Sequence, residues 1–199
     1  MNYIKVRDSL QSGDIALFRG RGLISLMVLW ISSLGRWFKN TRFSHIGMII
    51  VDSGRVMILE STTLNGKNGV QLNPLSEVLQ TYTGAVFIRR LCCNRDEHFY
   101  DVLTKTTAEL LGRPYEKNLI ELMGAAAEIF HIFDGHKSNL SSVFCSELVT
   151  EIFRRWGFLP QSVPPNEYSP QDYDFKGKVD SQLQYSDEPV CLSNIVKIK

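Results

Sequence analysis

Two apolar runs separated by a short polar turn form the clearest pattern in the chain. The runs cover residues 43–51 and 55–61, and Asp52-Ser53-Gly54 lies between them. Apolar runs of this length joined by a turn of this composition are typical of a β-hairpin. The sequence therefore predicts two antiparallel strands at this point.

The register of this hairpin brings a histidine and a carboxylate together. If Asp52 and Ser53 form a two-residue loop, His45 faces Glu60, and their Cβ atoms lie roughly 5 Å apart on one side of the sheet. A carboxylate in that place can accept one imidazole N–H, fix the tautomer and leave the other ring nitrogen free. A loop one residue longer would set His45 opposite Ser61 instead.

A second pattern has helical spacing and contains a cysteine. Phe144, Leu148, Ile152 and Phe153 recur at intervals of one helical turn, and Gly157 follows, as is typical just beyond the end of a helix. Cys145 would lie in the first turn, where unpaired N–H groups and the helix dipole stabilise a thiolate. It is a candidate nucleophile, and the alternative is a packed, inert thiol.

The remaining patterns predict a mixture of strands and helices. Further strands are expected at 13–19, 70–72 and 85–91, with weak strand signals at 189–198, and a loop at 65–69. Further helices are expected at 23–38, 74–81, 96–111 and 117–133. Because strands and helices are partly segregated, the expected class is α+β, in one domain over residues 1–199.

Composition and charge exclude several functions. The 199 residues carry a net charge of +1 without a basic run, so no nucleic-acid partner is expected. The cysteines are too few and too irregular for a disulfide framework, and no His/Cys cluster has the spacing of metal ligands. We therefore expect no metal and free thiols in a reducing compartment. The cysteines are Cys92, Cys93, Cys145 and Cys191.

The apolar stretch at 22–34 is too short to span a bilayer, which needs about 20 residues. Its apolar side chains could lie on a membrane surface, but packing on the protein's own sheet is favoured. Residues 1–10 lack the apolar core of a signal peptide. The expected location is cytoplasmic.

Five short motifs follow one another along the chain and extend over positions 13 to 149, about two thirds of its length. The motifs are Gly13-Asp14-Ile15, Phe43-Ser44-His45-Ile46-Gly47, Ile58-Leu59-Glu60-Ser61, Leu111-Gly112-Arg113-Pro114-Tyr115 and Phe144-Cys145-Ser146-Glu147-Leu148-Val149. In this order they resemble the circularly permuted branch of the NlpC/P60 (papain-like) superfamily, the YiiX- and YaeF-like proteins related to lecithin:retinol acyltransferase.

This resemblance implies a papain-like fold in which the nucleophile helix follows the histidine strand. It implies Cys145 as nucleophile, His45 as general base and Glu60 as the residue that orients the base. Tyr115 matches a tyrosine that borders the nucleophile and helps to bind substrate, and the alternative role for it is filling a helix–sheet interface. The chain departs from the family in a helical insert at about 116–143, which could cover the cleft, bind a partner or contact lipid.

These residue types predict attack of a thiolate on a carbonyl carbon, followed by resolution of a thioester. Hydrolysis of an amide in a peptide-like substrate is the leading hypothesis, and no cofactor is required. A lipid-directed acyl hydrolase or acyltransferase is the second, motivated by the apolar segments 22–34 and 119–133. A non-catalytic binding module on the same fold is the third.

Overall fold

A computed structural model describes residues 3–20, 42–64, 67–114, 145–183 and 189–199, without the side chains of residues 63, 64 and 67. The predicted helices at 23–38 and 117–133, the insert at 116–143 and Tyr115 lie outside the described residues. The described elements combine helices with an antiparallel sheet, in agreement with the expected α+β class.

Antiparallel pairing organises the sheet. Six strands form one sheet in the order β4-β3-β2-β1-β5-β8, and β6 pairs with β7 in a separate two-stranded sheet. The strands are β1 (Ile15–Arg19), β2 (His45–Asp52), β3 (Arg55–Leu64), β4 (Lys67–Pro74), β5 (Ala85–Arg89), β6 (Leu91–Cys92), β7 (Cys191–Leu192) and β8 (Val196–Lys197).

The hairpin between β2 and β3 forms as predicted, but the predicted register is wrong. Asp52 pairs with Arg55, so the two-residue loop is Ser53-Gly54 and not Asp52-Ser53. Both loop residues have positive φ, 48° and 76°, which is the conformation of the hairpin turn that favours glycine.

The observed register changes the residue that His45 faces, but His45 and Glu60 still lie on the same side of the sheet. In the observed register Met48 pairs with Leu59. The same register, continued to the start of β2, places His45 opposite Thr62 and not opposite Glu60. Residues two apart on a strand point to the same face, so Glu60 becomes a diagonal neighbour of His45.

Strand β4 is longer than predicted. Residues 67–69, expected in a loop, pair with residues 62–64 of β3. The turn that follows the helix Glu97–Leu110 is hydrogen-bonded to this strand, since the amide of Val70 donates to the Arg113 carbonyl at 2.8 Å. Gly69 permits that approach, since a Cβ there would lie 2.2 Å from the carbonyl oxygen of Arg113.

The predicted helices that fall on described residues are present with nearly the expected bounds. The helix Glu97–Leu110 begins after Asp96. The Asp96 carboxylate accepts a hydrogen bond of 2.8 Å from the amide of Phe99, and so satisfies one of the unpaired N–H groups at the start of the helix. The helices are α1 (Tyr3–Val6), α2 (Leu75–Thr81), α3 (Glu97–Leu110), α4 (Cys145–Arg155) and α5 (Lys178–Gln182), with 3-10 turns at Arg7–Ser9, Pro165–Glu167 and Pro170–Tyr173.

Two apolar clusters pack on the sheet. The larger joins α3 and α4 to the sheet through residues such as Ile46, Leu59 and Ile152, and the smaller contains Phe18, Ile49 and Ile58. Helix α4 is central to the larger cluster, since residues 145–153 are all buried. The start of α4 is therefore held firmly beside the sheet.

Candidate active site

Cys145 is the first residue of α4 and is 7% exposed. Downstream, Leu148, Val149, Ile152 and Phe153 are fully buried and fix the helix in place. Gly157, with φ of 77°, follows the helix, as the pattern predicted. The sulfur thus lies at the end of a helix where unpaired N–H groups favour negative charge.

His45 is the first residue of β2 and pairs with Phe18 of β1. The two ring centroids are 5.1 Å apart, so the fully buried Phe18 supports one side of the imidazole. The side chain of His45 is 21% exposed, so most of it is buried and a small part reaches solvent at the start of its strand.

The carboxylate of Glu60 on β3 is a hydrogen-bond partner of the His45 imidazole. Its side chain is 3% exposed, and Oε2 lies 2.7 Å from Nε2 of His45. Its second oxygen, Oε1, accepts a hydrogen bond of 3.3 Å from Nδ2 of Asn73 on β4. A buried carboxylate needs such partners, because an unpaired charge is costly away from water.

The imidazole also contacts the Cys145 thiol. Burial lowers the pKa of His45, but the charge and hydrogen bond of Cys145, together with those of Glu60, outweigh it and raise the pKa from 6.5 to about 10. Since Nε2 is used by Glu60, the nitrogen left for the thiol is Nδ1. The structure thus brings Cys145, His45 and Glu60 together, although the two strands pair in a different register from the one predicted.

Asn73 was missed by the sequence analysis, which ended the predicted strand at Leu72. The segment Val70-Gln71-Leu72-Asn73 alternates apolar and polar residues, a period-two signal that places Gln71 and Asn73 on one face. Only the pairing of Asn73 with Ile58 on β3 brings its amide to Glu60.

Several sequence-based expectations have no described counterpart. Tyr115 and the apolar segments 22–34 and 119–133 lie outside the described residues, so their roles stay predictions. Within the described ranges, no group of three or more His, Cys, Asp or Glu side chains could hold a metal ion. No helix in the described parts of the chain is long and apolar enough to cross a membrane.

Comparison with known proteins gives one family and a similar solved structure. The model of a family described as permuted papain-like amidase enzymes, YaeF/YiiX, C92 family, matches residues 26–163. A crystal structure described as metalloprotein YiiX from Escherichia coli O157:H7 is similar with a TM-score of 0.50 and 20% identity. The match covers 72% of this chain but only 64% of that protein. No curated protein matches the chain.

The family match extends over more than half of the chain and includes the positions of His45, Glu60 and Cys145. The similar solved structure agrees with it in fold. Together they confirm the permuted papain-like fold expected from the order of the motifs. The chain belongs to the C92 family of permuted papain-like amidases.

Proposed function

We propose that the protein hydrolyses an amide bond of a peptide-like substrate through a Cys145–His45–Glu60 triad and a thioester intermediate. The observation that carries the proposal is the position of the His45 imidazole, which contacts the Cys145 thiol and, through Nε2, the Glu60 carboxylate at 2.7 Å. In a nucleophilic site the base must reach the nucleophile while a third group orients the base.

In the first half of the reaction, the Cys145 thiol gives its proton to Nδ1 of His45. The raised pKa of His45 supports this transfer, because the imidazolium is stabilised beside a thiolate and a carboxylate. The thiolate attacks the carbonyl carbon, and the backbone N–H of Cys145 at the start of α4 stabilises the oxyanion. The C–N bond then breaks as His45 protonates the leaving amine.

In the second half, water resolves the thioester. His45 takes a proton from the attacking water, the new C–O bond forms, and the C–S bond breaks to return Cys145 as a thiolate. Resolution by an alcohol or amine would instead make the enzyme an acyltransferase. We choose water because the family is one of amidases.

Asn73 positions Glu60 in this proposal. With one oxygen accepting from Asn73 and the other paired with His45, the carboxylate has little freedom to rotate. A fixed carboxylate in turn holds the imidazole plane and its tautomer. Tyr115 is retained as a proposed substrate contact on the basis of the family resemblance alone.

Thiol reactivity tests the nucleophile without knowledge of the substrate. At mildly acidic pH, iodoacetamide should alkylate Cys145 faster than the other three cysteines, as measured by peptide mass spectrometry. The reason is that an imidazolium beside the sulfur favours the reactive thiolate. His45→Ala should remove this advantage, whereas a Cys93→Ser control should keep it. Equal rates at all four thiols would refute the nucleophile.

A panel of fluorogenic aminocoumarin amides with different acyl groups tests the chemistry. Acid quenching during turnover should trap an acyl group on Cys145, visible as a mass increase of its peptide, and Cys145→Ser should abolish it. Hydrolysis that persists in Cys145→Ser would exclude the thioester. Co-sedimentation with liposomes, with release of fatty acid and no amide cleavage, would favour the lipid-directed alternative.

A further inference from the structure

Two exposed cysteines outside the active site stand opposite each other. Cys92 ends β6 and Cys191 begins β7, and the two form a direct cross-strand pair in the small antiparallel sheet. Both are free thiols on the surface, whereas Cys145 is buried. The thiol of Cys191 is also close enough to that of Cys92 to contribute to the raised pKa of Cys92.

The backbone geometry of this pair suits a disulfide. In the same register Arg90 stands opposite Ser193, and the Ser193 amide donates to the Arg90 carbonyl at 2.9 Å. Hydrogen-bonded and non-hydrogen-bonded pairs alternate along an antiparallel ladder, so Cys92 and Cys191 occupy a hydrogen-bonded pair with a Cα separation of about 5.5 Å. Disulfides most often span about 5.5–6 Å between Cα atoms.

The neighbouring residues hold the two strands in this register. Leu91 and Leu192, which also face each other, are buried in the larger apolar cluster. The guanidinium of Arg89 donates to the carbonyls of Leu192 at 3.0 Å and Ser193 at 2.7 Å. A disulfide would therefore form between strands already in place, with little further ordering.

Cys93 is next in sequence but differs in surroundings. It is half-buried and packs against the larger apolar cluster, while its neighbour Cys92 pairs across the sheet with Cys191. The chain thus contains its own matched control for the effect of pairing.

We propose that Cys92 and Cys191 form a reversible intramolecular disulfide when the protein meets a low-molecular-weight disulfide such as oxidised glutathione. The Cys191 thiolate attacks one sulfur of oxidised glutathione, and one glutathione thiolate leaves. The Cys92 thiol loses its proton and attacks the sulfur of Cys191, which expels the second glutathione. Two protein thiols are oxidised, and one oxidised glutathione is reduced to two thiols.

Partial burial raises the pKa of Cys92 to about 11, and the hydrogen bond and charge of Cys191 add to the rise. Cys92 therefore acts second, once the mixed disulfide on Cys191 has placed an electrophilic sulfur beside it. The disulfide closes a loop of about 100 residues that includes α3 and α4, the helix that begins at Cys145, so it should stabilise the folded protein.

The test equilibrates the reduced full chain with reduced and oxidised glutathione at several ratios. The samples are quenched in acid, alkylated with N-ethylmaleimide and mapped by mass spectrometry. We expect one linked peptide pair, Cys92 with Cys191, lighter by two hydrogens than the separate peptides and removed by dithiothreitol. The melting temperature of the oxidised protein should rise by about 10 °C.

Matched variants separate this disulfide from general oxidation. Cys191→Ser and Cys92→Ser should lose both the linked peptide and the rise in melting temperature, while their reduced forms melt like the reduced wild type. Cys93→Ser should keep both effects. Glutathione adducts on single cysteines without a linked pair, a link between Cys93 and Cys191, or a link that lowers the melting temperature would each overturn the proposal.

Discussion

Glu60 and Arg89 are both charged and buried, but their partners differ in kind. The side chain of Arg89 is 0% exposed and that of Glu60 is 3% exposed. Burial of a charge is tolerated only when the charge is paired and hydrogen-bonded. The chemistry of the partners therefore separates a structural role from a catalytic one.

Arg89 at the end of β5 is hydrogen-bonded to one carboxylate and to several backbone carbonyls. Its guanidinium pairs with both oxygens of Asp180 on α5, at 2.9 and 3.0 Å. It also donates to four backbone carbonyls, which belong to Tyr173, Asp174, Leu192 and Ser193. These bonds fasten the C-terminal segment to the sheet.

Glu60, in contrast, has a titratable partner. Its Oε2 pairs with His45, whose other contact is the Cys145 thiol. The cluster therefore joins a carboxylate, an imidazole and a thiol, whereas the partners of Arg89 named above are one carboxylate and four backbone carbonyls. Burial alone does not identify a catalytic charge, but burial beside an imidazole with a raised pKa does point to one.

The largest expected effect on the catalytic side of the comparison comes from His45→Ala. Loss of the base should lower kcat/KM about 10⁴-fold, because neither the thiolate nor the protonation of the leaving group is then supported. The measurement is hydrolysis of the best aminocoumarin amide, beside a melting curve. His98→Ala, in an exposed position on α3, is the control, and an equal loss there would contradict the assignment.

The largest effect on the structural side comes from Arg89→Met. Removing the cation takes one donor from Asp180 and from each of four carbonyls, and should lower the free energy of unfolding by about 3–5 kcal/mol. Urea unfolding measures this change, and Arg7→Met at a half-exposed site should cost less than about 0.5 kcal/mol. Where the variant is still folded, the alkylation rate of Cys145 should stay within about twofold. A much larger fall would make Arg89 part of the active site.

Glu60→Gln should have an intermediate effect, a fall of about 100-fold in kcat/KM. The neutral amide no longer stabilises the imidazolium, so the pKa of His45 should fall from its raised value of about 10. Since His45 must be protonated to release the amine, the alkaline limb of the pH–rate profile should move to lower pH. Glu77→Gln on the exposed side of α2 should leave the limb in place.

The raised pKa of His45 also makes the stability of the folded protein depend on pH. A folded pKa above the ordinary 6.5 contributes stability that is full below about pH 6.5 and is lost as pH rises through about 10. In Glu60→Gln the loss should begin at the same pH but end at a lower pH, so that the total loss is smaller. Urea unfolding from pH 6 to 10 measures both curves, and coincident slopes would show that Glu60 does not hold the proton on His45.

Asn73→Ala should have the smallest effect, about tenfold in kcat/KM. A hydrogen bond to a charged group is worth about 1.5–3 kcal/mol, but the carboxylate keeps its stronger partner, His45. The alkaline limb of the pH–rate profile of Asn73→Ala should move to lower pH, as in Glu60→Gln, but by less. Simple loss of packing would not produce this change. Asn194→Ala, at an exposed position, is the control. An unmoved limb would limit Asn73 to a structural role.

Local patterns were enough to predict the elements of the active site. The two apolar runs on either side of Asp52-Ser53-Gly54 predicted the hairpin, and the spacing of Leu148, Ile152 and Gly157 predicted the helix that begins at Cys145. The hairpin register was wrong by a shift that kept His45 and Glu60 on one face. An even shift preserves the face of every side chain, because the period of a strand is two.

Local sequence patterns did not predict most of the secondary structure of the C-terminal segment. The sequence contains weak strand signals near residues 189–198, but it predicts neither the 3-10 turns of this segment nor α5. These short elements depend on distant contacts, such as the bonds of Arg89 and the 2.8 Å bond between Thr150 and Tyr173. Short elements have little intrinsic stability, so tertiary contacts decide their conformation.

The sequence by itself predicted the candidate catalytic residues and determined which elements hold them, because periodicity and turn composition act over a few neighbouring residues. The tertiary structure decided what those residues meet. The contact of Cys145 with His45, the bond of Asn73 to Glu60 and the enclosure of Arg89 all join residues far apart in the chain. Such contacts arise from how the sheet, α4 and the C-terminal segment pack together, which no local pattern contains.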